Sequence, residues 1–120
     1  MNTKALGRWG EERATEYLSH KGLSVLERNY RCPLGEIDII AQQDDVLIFI
    51  EVKTRRSMCF GLPAEAVTFK KQMRYFKIAQ YYMKENGIKD INCRFDVVEV
   101  ILNRDGSCQF NHIINAFQIK

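Results

Sequence analysis

The sequence predicts an α/β fold, with a mixed central sheet of about five strands flanked by helices. Three observations lead there. Residues 3–21 form an amphipathic stretch, the β-branched runs 36–42 and 47–53 fit an antiparallel hairpin, and a second helical stretch at 64–86 is followed by two more strand-like runs. Helix, three strands, helix, two strands is an order that can cover both faces of a sheet. A chain of 120 residues with 46% hydrophobic content fits one domain, residues 1–120, with one core.

In the first helix Gly7, Glu11, Ala14 and Leu18 follow the i, i+4, i+7, i+11 progression, which sets Glu11 in line with core positions. Glu12, Glu16, Arg8 and His20 fall off that stripe and read as surface. Gly22 marks the stop, residues 23–30 a first strand, and Pro33 and Gly35 lead into the hairpin. If Gln43-Asp44-Asp45-Val46 is its loop, Asp38 faces Glu51 and Glu36 faces Lys53. Alternation then gives one wholly apolar face, Ile37, Ile39, Ala41, Ile48, Ile50 and Val52. The other face carries Ile40, Leu47 and Phe49 near the turn and its charges at the far end. A basic connection, 55–63, leads to the second helix, which is expected to bury Phe69, Met73, Phe76, Ala79 and Met83 and to end at Asn86-Gly87. Residues 93–102 and 108–114 read as strands around a turn containing Asp105-Gly106.

Chemistry is expected at the charged end of the hairpin. Two carboxylates opposed in a half-buried site repel, and sheet stability alone does not favour the pairing. A divalent cation would remove the conflict, and hard oxygen ligands suit Mg²⁺, Mn²⁺ or Ca²⁺, with substrate phosphate and water completing the shell of Mg²⁺. Lys53, on the same face as Glu51, could orient a water or offset negative charge developing on a phosphate. Solvated ion pairs on an edge hairpin are the plainer reading, but the apolar neighbours argue against a fully wet site. Glu11 alone would read as a marginal acid reaching water; with the hairpin it becomes a candidate ligand.

Gly7-x-x-Gly10-Glu11-x-x-Ala14, Asn29-Tyr30-Arg31, Gly35-Glu36-Ile37-Asp38, Phe49-x-Glu51-Val52-Lys53-Thr54-Arg55, Phe60-Gly61-x-Pro63 and Arg94-Phe95-Asp96-Val97-Val98 together resemble the bacterial YraN-type proteins. Those are similar to Holliday junction resolvase-like members of the PD-(D/E)xK nuclease superfamily. The resemblance implies a restriction-endonuclease-like core and a metal-dependent DNA endonuclease, selective for branched or flapped DNA, leaving 5′-phosphate and 3′-hydroxyl ends. It assigns the helix acid to Glu11, the first strand acid to Asp38 and the Glu-x-Lys to Glu51 and Lys53. Asp38, Glu51 and the backbone carbonyl of Val52 would hold Mg²⁺ or Mn²⁺, with Glu11 bound directly or through water. Ile37 stands where the superfamily motif has its proline, which removes no ligand. Gln72 resembles a glutamine that some branches set beside the site, although Phe76 stands where they often have tyrosine.

Eighteen Lys and Arg against fifteen Asp and Glu give a net charge of +3, too small to demonstrate nucleic-acid binding. The distribution says more: Arg55 and Arg56 follow Lys53, and Lys70, Arg74, Lys77 and Lys84 recur along one side of the second helix, so DNA phosphates could be met on either side of the acids. Solvated surface is the bland reading for the helix cations. Symmetric cutting of a junction would need two active sites, which a homodimer would supply. Cys32, Cys59, Cys93 and Cys108 are spread without a Cys-x-x-Cys, and His20 and His112 lie far from any convincing partner, so free thiols are expected. No apolar run reaches the roughly 20 residues of a spanning helix and no secretory segment opens the chain, so a soluble cytoplasmic protein without a membrane partner is expected. The competing class is a catalytically inactive nucleic-acid-binding or assembly domain on the same fold; a third is an RNA-directed nuclease.

Overall fold

The structure, a computed structural model, describes residues 1–57 and 67–118. Cys59 and the Phe60-Gly61-x-Pro63 motif lie outside those residues. The elements run α1 (Thr3–His20), β1 (Ser24–Cys32), β2 (Gly35–Gln43), β3 (Val46–Arg56), α2 (Phe69–Glu85), β4 (Asn92–Leu102) and β5 (Cys108–Phe117). The five strands form one sheet in the order β1-β2-β3-β4-β5, antiparallel except where β3 meets β4. Only that parallel pair needs a crossover, and α2 supplies it. This is the expected α/β architecture, a mixed five-stranded sheet with helices on its faces, consistent with a restriction-endonuclease-like core.

Each face has its own core. Ile39, Ala41, Ile48, Ile50, Val98 and Val100 pack with Ala14 and Leu18 of α1, while Ile40, Leu47, Phe49, Phe95 and Val97 pack with Ile78, Ala79 and Tyr82 of α2. The second face is knit further by rings: Phe95 stacks on Phe49 at 5.5 Å and on Phe117 at 4.9 Å between centroids.

Several expectations need correction. The stripe that α1 buries is Leu6, Gly10, Ala14 and Leu18; Gly7 and Glu11 lie at its margin. Gly10 decides this, because a Cβ there would meet Thr54 Oγ1 at 1.9 Å, so only glycine lets the helix lie directly on β3. The β2–β3 loop is the two residues Asp44-Asp45, Gln43 and Val46 being the last ladder pair; the register is unchanged. Ile37 joins the α2 side instead of the face of Ile39. Between the Arg28–Ile39 and Tyr30–Ile37 pairs, Asn29 takes φ 53°, and past that kink Ile37 packs with Tyr30. The inward face of α2 is also rotated from the expected one: Ile78, Ala79 and Tyr82 are buried, Phe76 and Met83 only partly, and Phe69 is 75% exposed. The fifth strand runs on to Phe117.

Candidate metal and nucleic-acid site

The site begins where β2 and β3 part. Their ladder ends at Ile39–Ile50, whereas β2 stays paired to β1 as far as Gly35 and β3 stays paired to β4 as far as Arg56. Each strand follows its outer neighbour, and the sheet forks. Continued past the last pair, the register sets Asp38 across from Glu51, at the mouth of the fork. The expected Glu36–Lys53 opposition does not form as a ladder pair; Glu36 instead meets Arg31 across β1, at 3.0 Å on the exposed surface.

Inside the fork Asp38 takes over the work of a strand partner. Its Oδ2 accepts the Val52 N–H at 2.8 Å. The N–H and C=O of one strand residue point the same way, so the Val52 carbonyl faces the fork too. Burial raises the Asp38 carboxyl, the Val52 N–H opposes that, and the charges of Glu11, Glu51 and Glu36 raise it again, to about 6. Glu11 is therefore close enough to act on Asp38, brought there by the Gly10–Thr54 contact one residue away.

Glu51 is nearly buried, its side chain 11% exposed. Its Oε1 accepts Lys71 Nζ at 2.6 Å; its Oε2 is buried without a hydrogen-bond partner among the described residues. Tyr75, one turn beyond Lys71, completes the wall of a small cavity lined by Ile37, Asp38, Glu51 and Phe95. Its hydroxyl is pushed far above the usual range, first by burial and then by the charge of Glu51 and a side-chain hydrogen bond to it, so it stays neutral. Lys53 is half-buried two residues past Glu51, hence on the same face of β3.

These donors fit a small hard cation in kind: an orphaned buried carboxylate oxygen, a second carboxyl held at an unfavourable charge and a free-facing carbonyl. Among the described residues, no three His, Cys, Asp or Glu side chains are grouped so as to hold a metal ion by themselves. A cation here would keep much of its shell for water and phosphate, the habit of Mg²⁺.

Of the other candidates, Arg55 pairs with the buried Glu99 at 2.9 Å, and Arg56 donates to the carbonyl of Met1 at 2.6 Å. Lys70, Arg74 and Lys77 are exposed on one side of α2. Gln72 donates to the carbonyl of Val67 at 2.7 Å, tying the first turn of α2 to the chain entering it.

Sequence reasoning missed Lys71 and Tyr75. The signal was present: Lys71, Tyr75, Ile78 and Tyr82 recur at i, i+4, i+7 and i+11, but a lysine heading the stripe hid it behind the more apolar Phe69, Met73 and Phe76. Also missed was a partner for His112. Its Nε2 lies 2.8 Å from Asp96 Oδ2, and Asp96 further accepts from Arg94 at 3.0 Å and from the Asn115 N–H at 2.9 Å. Cys32, Cys93 and Cys108 carry free thiols. No helix among the described residues is long and apolar enough to cross a membrane.

Comparison with known proteins places the chain in a family. Residues 10–100, from the glycine that seats α1 to near the end of β4, match the model of the uncharacterised protein family UPF0102. A UPF0102 protein of Dictyoglomus thermophilum is 49% identical over 118 residues, covering 98% of this chain and all of its own length. A second, from Caldanaerobacter subterraneus subsp. tengcongensis, is 48% identical over 119 residues, 98% of each chain. A third, from Clostridioides difficile, is 47% identical over 117 residues, 98% of this chain and all of its own. With a family match over residues 10–100 and identities of 49% and 48% over almost the whole chain, the chain belongs to the UPF0102 family, the YraN-type proteins.

Proposed function

We propose that this protein is a metal-dependent DNA endonuclease of the PD-(D/E)xK type, acting in the cytoplasm on branched or flapped DNA. The observation that carries the reading is the fork: Asp38 and Glu51 oppose each other where β2 and β3 part, Glu51 Oε2 is buried with no hydrogen-bond partner within normal geometry among the described residues, and Glu11 adds a further negative charge to Asp38. A divalent cation is what this charge arrangement lacks. Asp38, Glu51 and the Val52 carbonyl would hold Mg²⁺ or Mn²⁺, with Glu11 bound directly or through water. When bound, the ion would supply Lewis-acid activation of the scissile phosphate and of water. Lys53 would orient the attacking water and offset charge developing on the phosphate. Lys70, Arg74 and Lys77 are the accessible phosphate contacts, and Arg56 a lesser one; Arg55 is engaged by Glu99 and would act mainly by holding β3 to β4.

One observation favours a second reading, a nucleic-acid-binding domain without turnover. The Lys71 ammonium already sits on Glu51, where a fixed cation can stand in for a divalent one. Cleavage of labelled linear, single-stranded, flap and four-way-junction DNA, with Mg²⁺, Mn²⁺ or chelator, separates the two. The nuclease reading expects cation-dependent cutting that Asp38→Asn with Glu51→Gln abolishes. Lys53→Ala should cut at least a hundredfold more slowly while binding DNA nearly as well, because one phosphate contact is a small part of a broad interface. Binding without cutting under every condition would favour the second reading; cutting of RNA in preference to DNA would reassign the substrate.

A further inference from the structure

The side of α2 turned away from the sheet carries a feature that the fork does not use. Phe69 is 75% exposed and Leu34, in the tight β1–β2 turn, 45% exposed. With Met73 they line an open groove of about 510 Å³, and the remaining lining residues are Lys70, Arg74 and Lys77. Among the described residues none of these three cations is ion-paired, and no acid lines the groove.

The combination narrows the occupant. An apolar peptide or a second apolar face would gain nothing from three unpaired cations, and a simple anion would gain nothing from a bare phenyl ring. A ligand with negative charges at regular intervals and flat apolar faces between them satisfies both halves of the groove. Duplex DNA offers the charges but hides its base faces in the stack, whereas an unpaired strand offers both. We infer that this groove binds single-stranded DNA, with a base stacked on Phe69 and phosphates held by Lys70, Arg74 and Lys77. From Lys70 to Lys77 the helix advances about 10 Å, roughly three nucleotides at stacked spacing.

The groove lies beside the strand that carries Asp38. The side chain of Arg74 lies against Gly35, its Cδ 3.3 Å from where a Cβ would stand, and β2 runs from Gly35 through Glu36 and Ile37 to Asp38. Gly35 has φ 138°, a conformation that glycine adopts freely, and lacking a side chain it lets Ile78 and Arg74 of α2 pack directly against the start of β2. Lys71, the neighbour of Lys70, is the residue on Glu51. A strand lying in the groove is thus led toward the fork, as the single-stranded arm of a flap would be. The fate of the strand rests on the nuclease reading; its binding does not.

The test is fluorescence anisotropy in chelator, where nothing is cut, with a labelled 15-nucleotide oligo(dT), a duplex of the same length and an abasic oligonucleotide carrying the same phosphates. Oligo(dT) should bind more tightly than either control, and Phe69→Ala should weaken it about tenfold, the effect of losing one stacked base, while leaving the controls unchanged. Phe69→Trp should restore affinity and add a fluorescence component quenched by oligo(dT), a readout that no purely structural role would give. Lys70→Ala with Lys77→Ala should weaken all three ligands alike and flatten the salt dependence. Equal affinity for the abasic strand, or no change on Phe69→Ala, overturns the inference, as does tighter binding of oligo(U) than of oligo(dT). A dimer in solution that Phe69→Ala dissociates would give the groove to a second copy instead. Binding as described with no cutting under Mg²⁺ would leave the inference standing and remove the nuclease reading.

Discussion

Asp96 on β4 is the more deeply buried of two interior aspartates, 1% exposed, yet it is surrounded by donors: Arg94, His112 and the Asn115 N–H. Asp38 on β2 is only partly buried, accepts a single backbone N–H, and faces Glu51 with Glu11 and Glu36 nearby. Burial pushes both carboxyls up. For Asp96 the hydrogen bonds from His112, Asn115 and Arg94 outweigh it and hold the group below the ordinary range, while for Asp38 the neighbouring carboxylates add to burial. Depth of burial therefore does not decide which carboxyl is raised; the charges and donors around it do. Asp96 ties the irregular end of β5 to β4, where the register shifts between Phe95 and Val97. Asp38 reaches across the fork to the Val52 N–H and meets other carboxylates there.

The comparison breaks most visibly at Asp96. Asp96→Ala strands Arg94 and His112 beside a buried gap and should cost about 3–5 kcal/mol, read as a lower urea midpoint. A loss under about 1 kcal/mol would mean that the cluster is not what fastens β5.

Asp38→Asn should act in the opposite direction. The folded-state value of about 6 stands above the ordinary 3.8, so between those pH values the folded chain keeps a proton that the unfolded chain has released. Wild type therefore loses stability as pH rises from 3.8 to 6, and the deficit is complete above 6. Without divalent ions the variant should be the more stable protein at pH 7, by up to about 3 kcal/mol, and the difference should close below pH 4. Asp96, held low, contributes stability at neutral pH that is lost only as pH falls below the ordinary carboxylate range. Melting curves of wild type and variant from about pH 3 to 7 check the Asp38 sign; a variant less stable at pH 7 contradicts the reading of Asp38.

Adding Mg²⁺ or Mn²⁺ should remove the Asp38 deficit. At a hundredfold excess over its dissociation constant a native-state ligand stabilises by about 2.7 kcal/mol, and Asp38→Asn with Glu51→Gln should erase that shift in melting temperature. An equal shift in both proteins would place the main cation site elsewhere.

The smallest effect is expected at Lys71. Its ammonium competes for Glu51, so Lys71→Ala should tighten divalent binding by roughly fivefold, about 1 kcal/mol, measured by calorimetric titration. Weaker binding would make Lys71 a partner of the cation site and not its competitor.

By itself the sequence determined what depends on neighbours along the chain. The β2–β3 register, and with it the opposition of Asp38 and Glu51, was legible because alternation has a period of two and a one-residue slip would turn Ile39, Ile48 and Ile50 to the wrong face. The order of elements was legible for similar reasons, whereas Glu11, expected in line with the buried stripe of α1, lies at its margin. Tertiary structure decided the rest. The fork exists because β1 holds β2 and β4 holds β3 beyond their last common pair, which no hairpin reveals alone. Which stripe of α2 turns inward, Lys71-Tyr75-Ile78 or Phe69-Met73-Phe76, depends on the sheet it meets, since both repeat at helical spacing. Asp96 met His112 across 16 residues, through a register shift between β4 and β5 that local pattern does not encode. Local periodicity sets which side chains share a face; only docking of elements distant in the chain sets which charges are answered and which are left open.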